Sequence, residues 1–91
     1  MTLIVTAYCA CKICCGPHAA GITASGIPPV QGTTIAASRS IPFGTRLSVG
    51  GQVFTVQDRL AKRHDSRVDI YMRSHADAKA FGKRRLTVQK L

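Results

Sequence analysis

The chain is poor in acidic residues and rich in basic ones. Its 91 residues contain 13 Lys and Arg, four Asp and no Glu, which gives a formal net charge of +9. This charge predicts attraction to polyanions such as nucleic acid, anionic lipid or the acidic polymers of a cell wall. The basic residues are spread along the chain, with one cluster at residues 83–85, and no helix-turn-helix, finger or ribonucleoprotein signature accompanies them. The pattern therefore favours a solvated basic surface over nucleic-acid binding.

Aromatic residues and long apolar runs are also scarce. Aromatics make up 5% of the chain and apolar residues 45%, so the core is expected to consist of Val, Ile, Leu and Ala. The apolar runs are too short for a membrane span or a signal peptide. The sequence does not decide the location of the protein. It is in the cell envelope or periplasm if a signal peptide was removed; otherwise it is exported through a phage holin or is cytoplasmic. The length predicts a single domain over residues 1–91, and we expect a monomer.

All four cysteines lie in one short stretch, at Cys9, Cys11, Cys14 and Cys15. They are compatible with two disulfides in an oxidising compartment, with a metal site or with free thiols. The two-residue gap between Cys11 and Cys14 is typical of zinc knuckles, and Cys15 and His18 are further candidate ligands. A second well-spaced ligand pair is missing, so no cofactor is expected, with zinc at this loop as the alternative.

Short runs of β-forming residues separated by Gly and Pro turns cover most of the chain. They predict six strands and one helix that follows Ser74 as its N-cap and ends at Gly82. Gly50-Gly51 is the strongest hairpin signal. In the run 68–72, strict alternation places Asp69 on the face opposite Val68 and Ile70. The predicted strands are 3–8, 33–38, 46–49, 53–56, 68–72 and 85–89, and the predicted helix is 76–81. This pattern indicates a mainly β protein, a small closed barrel with one short helix.

Several of these segments, in this order and spacing, resemble the three-aspartate domain family. The resemblance runs nearly end to end, and Asp58 and Asp69 lie eleven residues apart within it. The stretches that carry it are Thr6-Ala7-Tyr8, the cysteine loop that ends at Gly16, Gly21-Ile22-Thr23-Ala24-Ser25-Gly26, Ile41-Pro42-Phe43-Gly44-Thr45, Val56-Gln57-Asp58, Val68-Asp69-Ile70-Tyr71 and Ala80-Phe81-Gly82. The resemblance implies a six-stranded double-psi β-barrel, as in membrane-bound lytic transglycosylase A, rare lipoprotein A and the stationary-phase Sps proteins.

The resemblance also implies an activity. Enzymes of the family cleave peptidoglycan between N-acetylmuramic acid and N-acetylglucosamine without a cofactor and leave a 1,6-anhydro end. It implies that Asp69 is the general acid and then the base, that Asp58 is its close partner, and that Thr23 lines the cleft. Ser38 stands where the family has its first aspartate, and Arg59-Leu60-Ala61 replaces a Thr-Gly-Gly. Lys62 is a candidate contact for a substrate carboxylate or acetamido group.

The residues themselves leave alternatives open. Asp69 is also interpretable as an ion-pair partner of Arg67, and Asp58 as a carboxylate that caps a turn at the end of a strand. When two carboxylates lie close together, their repulsion raises one of the two apparent pKa values, whereas nearby Arg and Lys lower the pKa of an aspartate. The alternative functions are a non-catalytic, expansin-like polysaccharide-binding barrel and a basic nucleic-acid-binding barrel. His64 and His75 are interpreted as surface residues, Asp65 as loop solvation and Asp77 as helix capping.

Overall fold

The structure, a computed structural model, describes residues 2–9, 22–60 and 66–91. Strands dominate these residues, and a single short helix accompanies them. In chain order the elements are β1 (Thr2–Tyr8), β2 (Thr34–Ala37), β3 (Arg46–Val49), β4 (Gln52–Arg59), β5 (Arg67–Tyr71), α1 (His75–Phe81) and β6 (Lys83–Lys90). No helix in these ranges has the length and apolar content needed to cross a membrane.

The six strands close into a barrel in the order β1-β5-β2-β4-β3-β6. Strand β5 lies between β1 and β2, parallel to β1 and antiparallel to β2. Strand β2 lies in turn between β4 and β5, parallel to β4. Two pairs of consecutive antiparallel strands, β1 with β2 and β4 with β5, are thus each separated by a third strand. This arrangement of two interlocked psi motifs confirms the predicted fold class, a mainly β six-stranded double-psi barrel with one short helix.

The barrel interior is filled by small and β-branched side chains, as the scarcity of aromatics predicts. Strand residues alternate between the two faces of a sheet, so every second residue points inward. The buried core cluster consists of Val5, Ile35, Ala37, Leu47, Val49, Phe54, Val56, Val68, Ile70 and Val88. Val68 and Ile70 belong to this cluster, and Asp69 between them therefore points to the outer face, as predicted.

The turn and cap signals of the sequence correspond to real structural features. Gly50 and Gly51 have φ of 57° and 90°, a region that favours glycine, and they join β3 to β4 in a tight hairpin. The Ser74 side chain accepts a hydrogen bond from the backbone N–H of Asp77 at 3.3 Å and so caps helix α1. The helix ends at Gly82, which has φ of 67°.

Strand β4 contains an irregularity that the sequence analysis did not predict. Ile35 of β2 pairs with Val56 of β4, but Ala36 pairs with Asp58, so that Gln57 is an extra residue on β4. Such a bulge redirects the side chains that follow it. Phe54 and Val56 point into the core, and without the extra residue Asp58 would point inward too. The bulge turns it to the face of Ala36 instead. Asp58 was expected to end its strand, but β4 continues through Arg59.

Candidate active site

Both candidate catalytic aspartates flank the same residue of the barrel. Ala36 of β2 pairs with Asp58 on one side and with Asp69 on the other. Residues paired in this way share a sheet face, so the two carboxylates lie on one face, two strands apart. At a strand spacing of about 4.8 Å their Cα atoms are about 10 Å apart. The second psi motif therefore assembles the pair that the sequence singles out.

Asp69 is partly buried, and its environment favours the protonated carboxyl. Thr6 on β1, its register partner, donates a hydrogen bond from Oγ1 to Asp69 Oδ1 at 3.0 Å. Burial is the main cause that raises the pKa of Asp69 from 3.8 to about 6. The Thr6 hydrogen bond and the charge of Arg67 act to lower it, whereas the charge of Asp58 raises it. Repulsion between the two carboxylates, the cause expected from the sequence, contributes less than burial does.

Asp58 is held by three hydrogen bonds. The Tyr8 hydroxyl donates to Oδ2 at 2.7 Å, and the backbone N–H groups of Ala24 and Arg59 each donate to Oδ1 at 2.9 Å. The bond from Ala24 ties the turn that begins at Thr23 to β4, so Asp58 does hold a turn in place. These donors all suit an ionised carboxylate, which accepts hydrogen bonds and donates none. They fix the position of a negative charge beside Asp69.

Two tyrosines lie beside the aspartates. Tyr8 and Tyr71 are register partners on β1 and β5, with ring centroids 5.6 Å apart and an angle of 69° between the rings. This is the edge-to-face geometry that aromatic pairs prefer. Tyr71 also lines an open groove of about 460 Å³ together with Met72, Phe81 and Arg84. The tyrosine pair thus connects the carboxylate face with this groove.

The structure places the candidate substrate-binding residues Thr23 and Ser38 in different surroundings. Thr23 is 5% exposed, and its Oγ1 donates to the carbonyl of Ile27 at 2.7 Å within the turn that contacts Asp58. Ser38 follows β2 two residues after Ala36; its Oγ lies 2.6 Å from Ser40 Oγ and accepts a 3.1 Å hydrogen bond from Ser40 N–H. Both hydroxyls are engaged locally, and their substrate contacts stay a prediction.

The remaining candidate ligands lie outside the described residues. These are Lys62 and the zinc candidates Cys11, Cys14, Cys15 and His18. Arg59 is described, and its guanidinium lies 3.8 Å from the centroid of the Phe43 ring. This is a cation–π contact, which the sequence did not predict.

Thr6 and Tyr8 are site residues to which the sequence analysis gave no role. Each donates a side-chain hydrogen bond to one of the two aspartates. Both lie on β1, two positions apart, on the face opposite the core residue Val5. The alternation of inward and outward side chains along β1 places both on its outward face. Together with the pairing of β1 and β5, this pattern could have identified them.

The arrangement combines a carboxyl whose pKa is raised by burial to about 6 with a second, fixed carboxylate on the same face. Such a pair is suited to proton transfer.

Comparison with protein-family models gave no match, and no curated protein matched significantly either.

Proposed function

We propose that the protein cleaves the glycan strands of peptidoglycan as a lytic transglycosylase, with Asp69 as general acid and then base. The observation that carries the proposal is the environment of Asp69, where burial raises the pKa to about 6. The resemblance to the three-aspartate domain family supplies the substrate class. The proposal includes membership of that family.

The reaction needs one group that first gives and then takes a proton. Asp69 donates its proton to the glycosidic oxygen that becomes the 4-hydroxyl of N-acetylglucosamine, while the bond from that oxygen to C1 of N-acetylmuramic acid breaks. The resulting carboxylate then takes the proton of the muramoyl 6-hydroxyl, whose oxygen bonds to C1. The products are a free 4-hydroxyl and a 1,6-anhydro end, and no water is consumed. Because the nucleophile belongs to the bound sugar, its attack is intramolecular.

The pKa of Asp69 decides whether this carboxyl can act as an acid. An aspartate at the ordinary value of 3.8 is protonated in fewer than about one molecule in a thousand at pH 7. At a pKa of about 6 the fraction is about one tenth. Burial thus increases the population of the acid form about a hundredfold without a metal ion or cofactor.

Asp58 serves this reaction as a fixed negative charge. Its charge helps to raise the pKa of Asp69 and favours the positive charge that develops on the sugar ring during cleavage. The three hydrogen bonds keep its carboxylate in place throughout. The basic surface, with exposed Lys83, Arg84 and Arg85 on β6, suits retention on the acidic polymers of the wall.

Digestion of purified sacculi followed by mass spectrometry of the soluble products tests the proposal. The wild-type protein is expected to release muropeptides with anhydro ends, and Asp69→Asn is expected to release none. Asp77→Asn is the matched control, because Asp77 is exposed on helix α1 and its substitution removes the same charge from the molecule. Release by Asp69→Asn at the wild-type rate would refute a role for this carboxyl.

The same preparation separates the alternative functions. Sedimentation of the protein with sacculi, without soluble product, would support a non-catalytic wall-binding barrel instead. Salt-sensitive retention on DNA, without binding to sacculi, would support nucleic-acid binding. Either outcome would overturn the proposed activity.

A further inference from the structure

A basic residue faces Asp69 across strand β1. Thr6 of β1 has two register partners, Asp69 on β5 and Lys83 on β6. Residues paired across strands share a sheet face, and the Thr6 side chain points outward, where it donates its hydrogen bond to Asp69. Lys83 therefore lies on the outer face too, and its Cα is about 10 Å from that of Asp69 at a strand spacing of about 4.8 Å. Asp58 lies about as far away on the opposite side of Asp69.

Two arginines extend this basic side of the face. Ile4, on the outer face of β1, pairs with Arg67 of β5 and with Arg85 of β6. Arg67 lies two residues before Asp69 on the same strand, and its charge already acts on that carboxyl. Together with Lys83, the two arginines border Asp69 with three cations on the side of β1 and β6.

The two outward cations of β6 are available to a ligand. Lys83 and Arg85 are exposed, and neither forms an ion pair with an aspartate of the described residues. Strands β1 and β6 contain no acidic residue of their own. Arg84 belongs to the inner side instead, because its register partner is the core residue Val5 and its guanidinium lies 4.4 Å from the centroid of the Phe81 ring. The basic cluster of β6 is thus divided, and only two of its three residues face the candidate active site.

The charges on the two sides of Asp69 suit a substrate that is anionic on one side only. In the reaction proposed above, the bond at C1 of N-acetylmuramic acid lies at Asp69. The same sugar carries the stem peptide through the lactyl group at C3, and the peptide carboxylates are the negative charges of the strand. Three cations on the side of β1 and β6 attract these carboxylates, whereas Asp58 on the other side repels them. The polarity of the face therefore selects one orientation of the substrate.

We propose that Arg67, Lys83 and Arg85 form a subsite that binds the carboxylates of the stem peptide on the muramoyl residue at which the strand is cleaved. The inference rests on the proposed function for its substrate and adds a specificity to it. Glycan strands that keep their peptides are preferred to strands from which an amidase has removed them. Because Arg67 also acts on the pKa of Asp69, the test uses the two residues of β6.

Binding of a free stem peptide tests the subsite without catalysis. The probe is the N-acetylated tetrapeptide L-alanyl-γ-D-glutamyl-L-lysyl-D-alanine, titrated at low ionic strength and followed by NMR of the labelled protein. Each exposed ion pair contributes about two- to fivefold in affinity, so the double variant Lys83→Gln/Arg85→Gln is expected to bind about tenfold more weakly. Lys79→Gln/Lys90→Gln is the matched control, because it removes two exposed charges from helix α1 and from the far end of β6. Circular dichroism verifies that each variant is folded.

Digestion of soluble glycan strands separates failure of the subsite from failure of the activity. The wild type is expected to cleave strands with peptides faster than the same strands after amidase treatment, and Lys83→Gln/Arg85→Gln should lose this preference but still cleave the stripped strands. Peptide binding by a protein that cleaves neither substrate would refute the proposed activity and support the subsite. Three results would each overturn the subsite: unchanged peptide affinity in the β6 variant, equal weakening in the control variant, or equal wild-type affinity for the peptide with its carboxylates amidated.

Discussion

Replacing Asp69 by asparagine should stabilise the protein at neutral pH. The substitution keeps the shape of the side chain, and the Thr6 hydroxyl can still donate to the amide oxygen of residue 69. What it removes is an ionised carboxylate from a partly buried position beside Asp58. The same change is expected to abolish glycan cleavage, so activity and stability should move in opposite directions, as at many functional sites.

The magnitude follows from the difference between the folded and unfolded pKa of Asp69. The folded value is about 6 against an ordinary 3.8, and each pH unit corresponds to about 1.4 kcal/mol, giving a total of about 3 kcal/mol. Below about pH 4 the carboxyl is protonated in both states and costs nothing. Between about pH 4 and pH 6 the folded state retains the proton that the unfolded state loses, so stability falls as the pH rises. Above about pH 6 the ionised carboxylate destabilises the folded state by the full amount.

Urea unfolding monitored by circular dichroism at several pH values measures this effect. The asparagine variant should exceed the wild type by up to about 3 kcal/mol at pH 7, which for a chain of this size raises the melting temperature by on the order of 10 °C. The two curves should converge below about pH 4. Asp77→Asn is the control and should lack this pH-dependent gain. Equal stability of wild type and Asp69→Asn at both ends of the range would show that Asp69 ionises without cost.

Three further predictions concern the same face of the barrel. Sacculus digestion should decline as the pH rises through about 6, because the acid form of Asp69 is lost; a rate that keeps rising to pH 8 would exclude Asp69 as the acid. Thr6→Val removes the hydrogen bond that lowers the pKa of Asp69, so NMR titration of this carboxyl should give a higher value than in the wild type. Tyr8→Phe removes one hydrogen bond from Asp58 and should slow digestion roughly tenfold, equivalent to about 1.4 kcal/mol; Tyr71→Phe keeps that bond and serves as its control.

The fold was largely predictable because local signals agree with one another. Alternation in β5, the Gly50-Gly51 hairpin and the Ser74 cap each depend on residues close together in sequence. The predicted strand and helix bounds differ from the observed ones mainly at their ends. The outward direction of Asp69 followed from its neighbours Val68 and Ile70 in the same way.

The details of the candidate site depend on strand pairing, which local signals do not reveal. The extra residue Gln57 exists only relative to β2, so the outward turn of Asp58 could not be found in β4 alone. The burial that dominates the pKa of Asp69 is created by strands that pack around it from elsewhere in the chain. The contact between Cys9 Sγ and His75 Nδ1, at 3.5 Å, likewise joins residues 66 positions apart, and His75 is partly buried rather than the surface residue that the sequence suggested.

The interlocked psi motifs have a consequence for the kinetics of folding. Strand β5 has to enter between β1 and β2, which are its neighbours in the barrel but precede it by many residues in the chain. Pairing of such distant segments requires the closure of long loops and is intrinsically slow. Asp69 meets both Thr6 and Ala36 only after this insertion. Its raised pKa thus depends on long-range strand pairing, and its carboxyl can report when the barrel has closed.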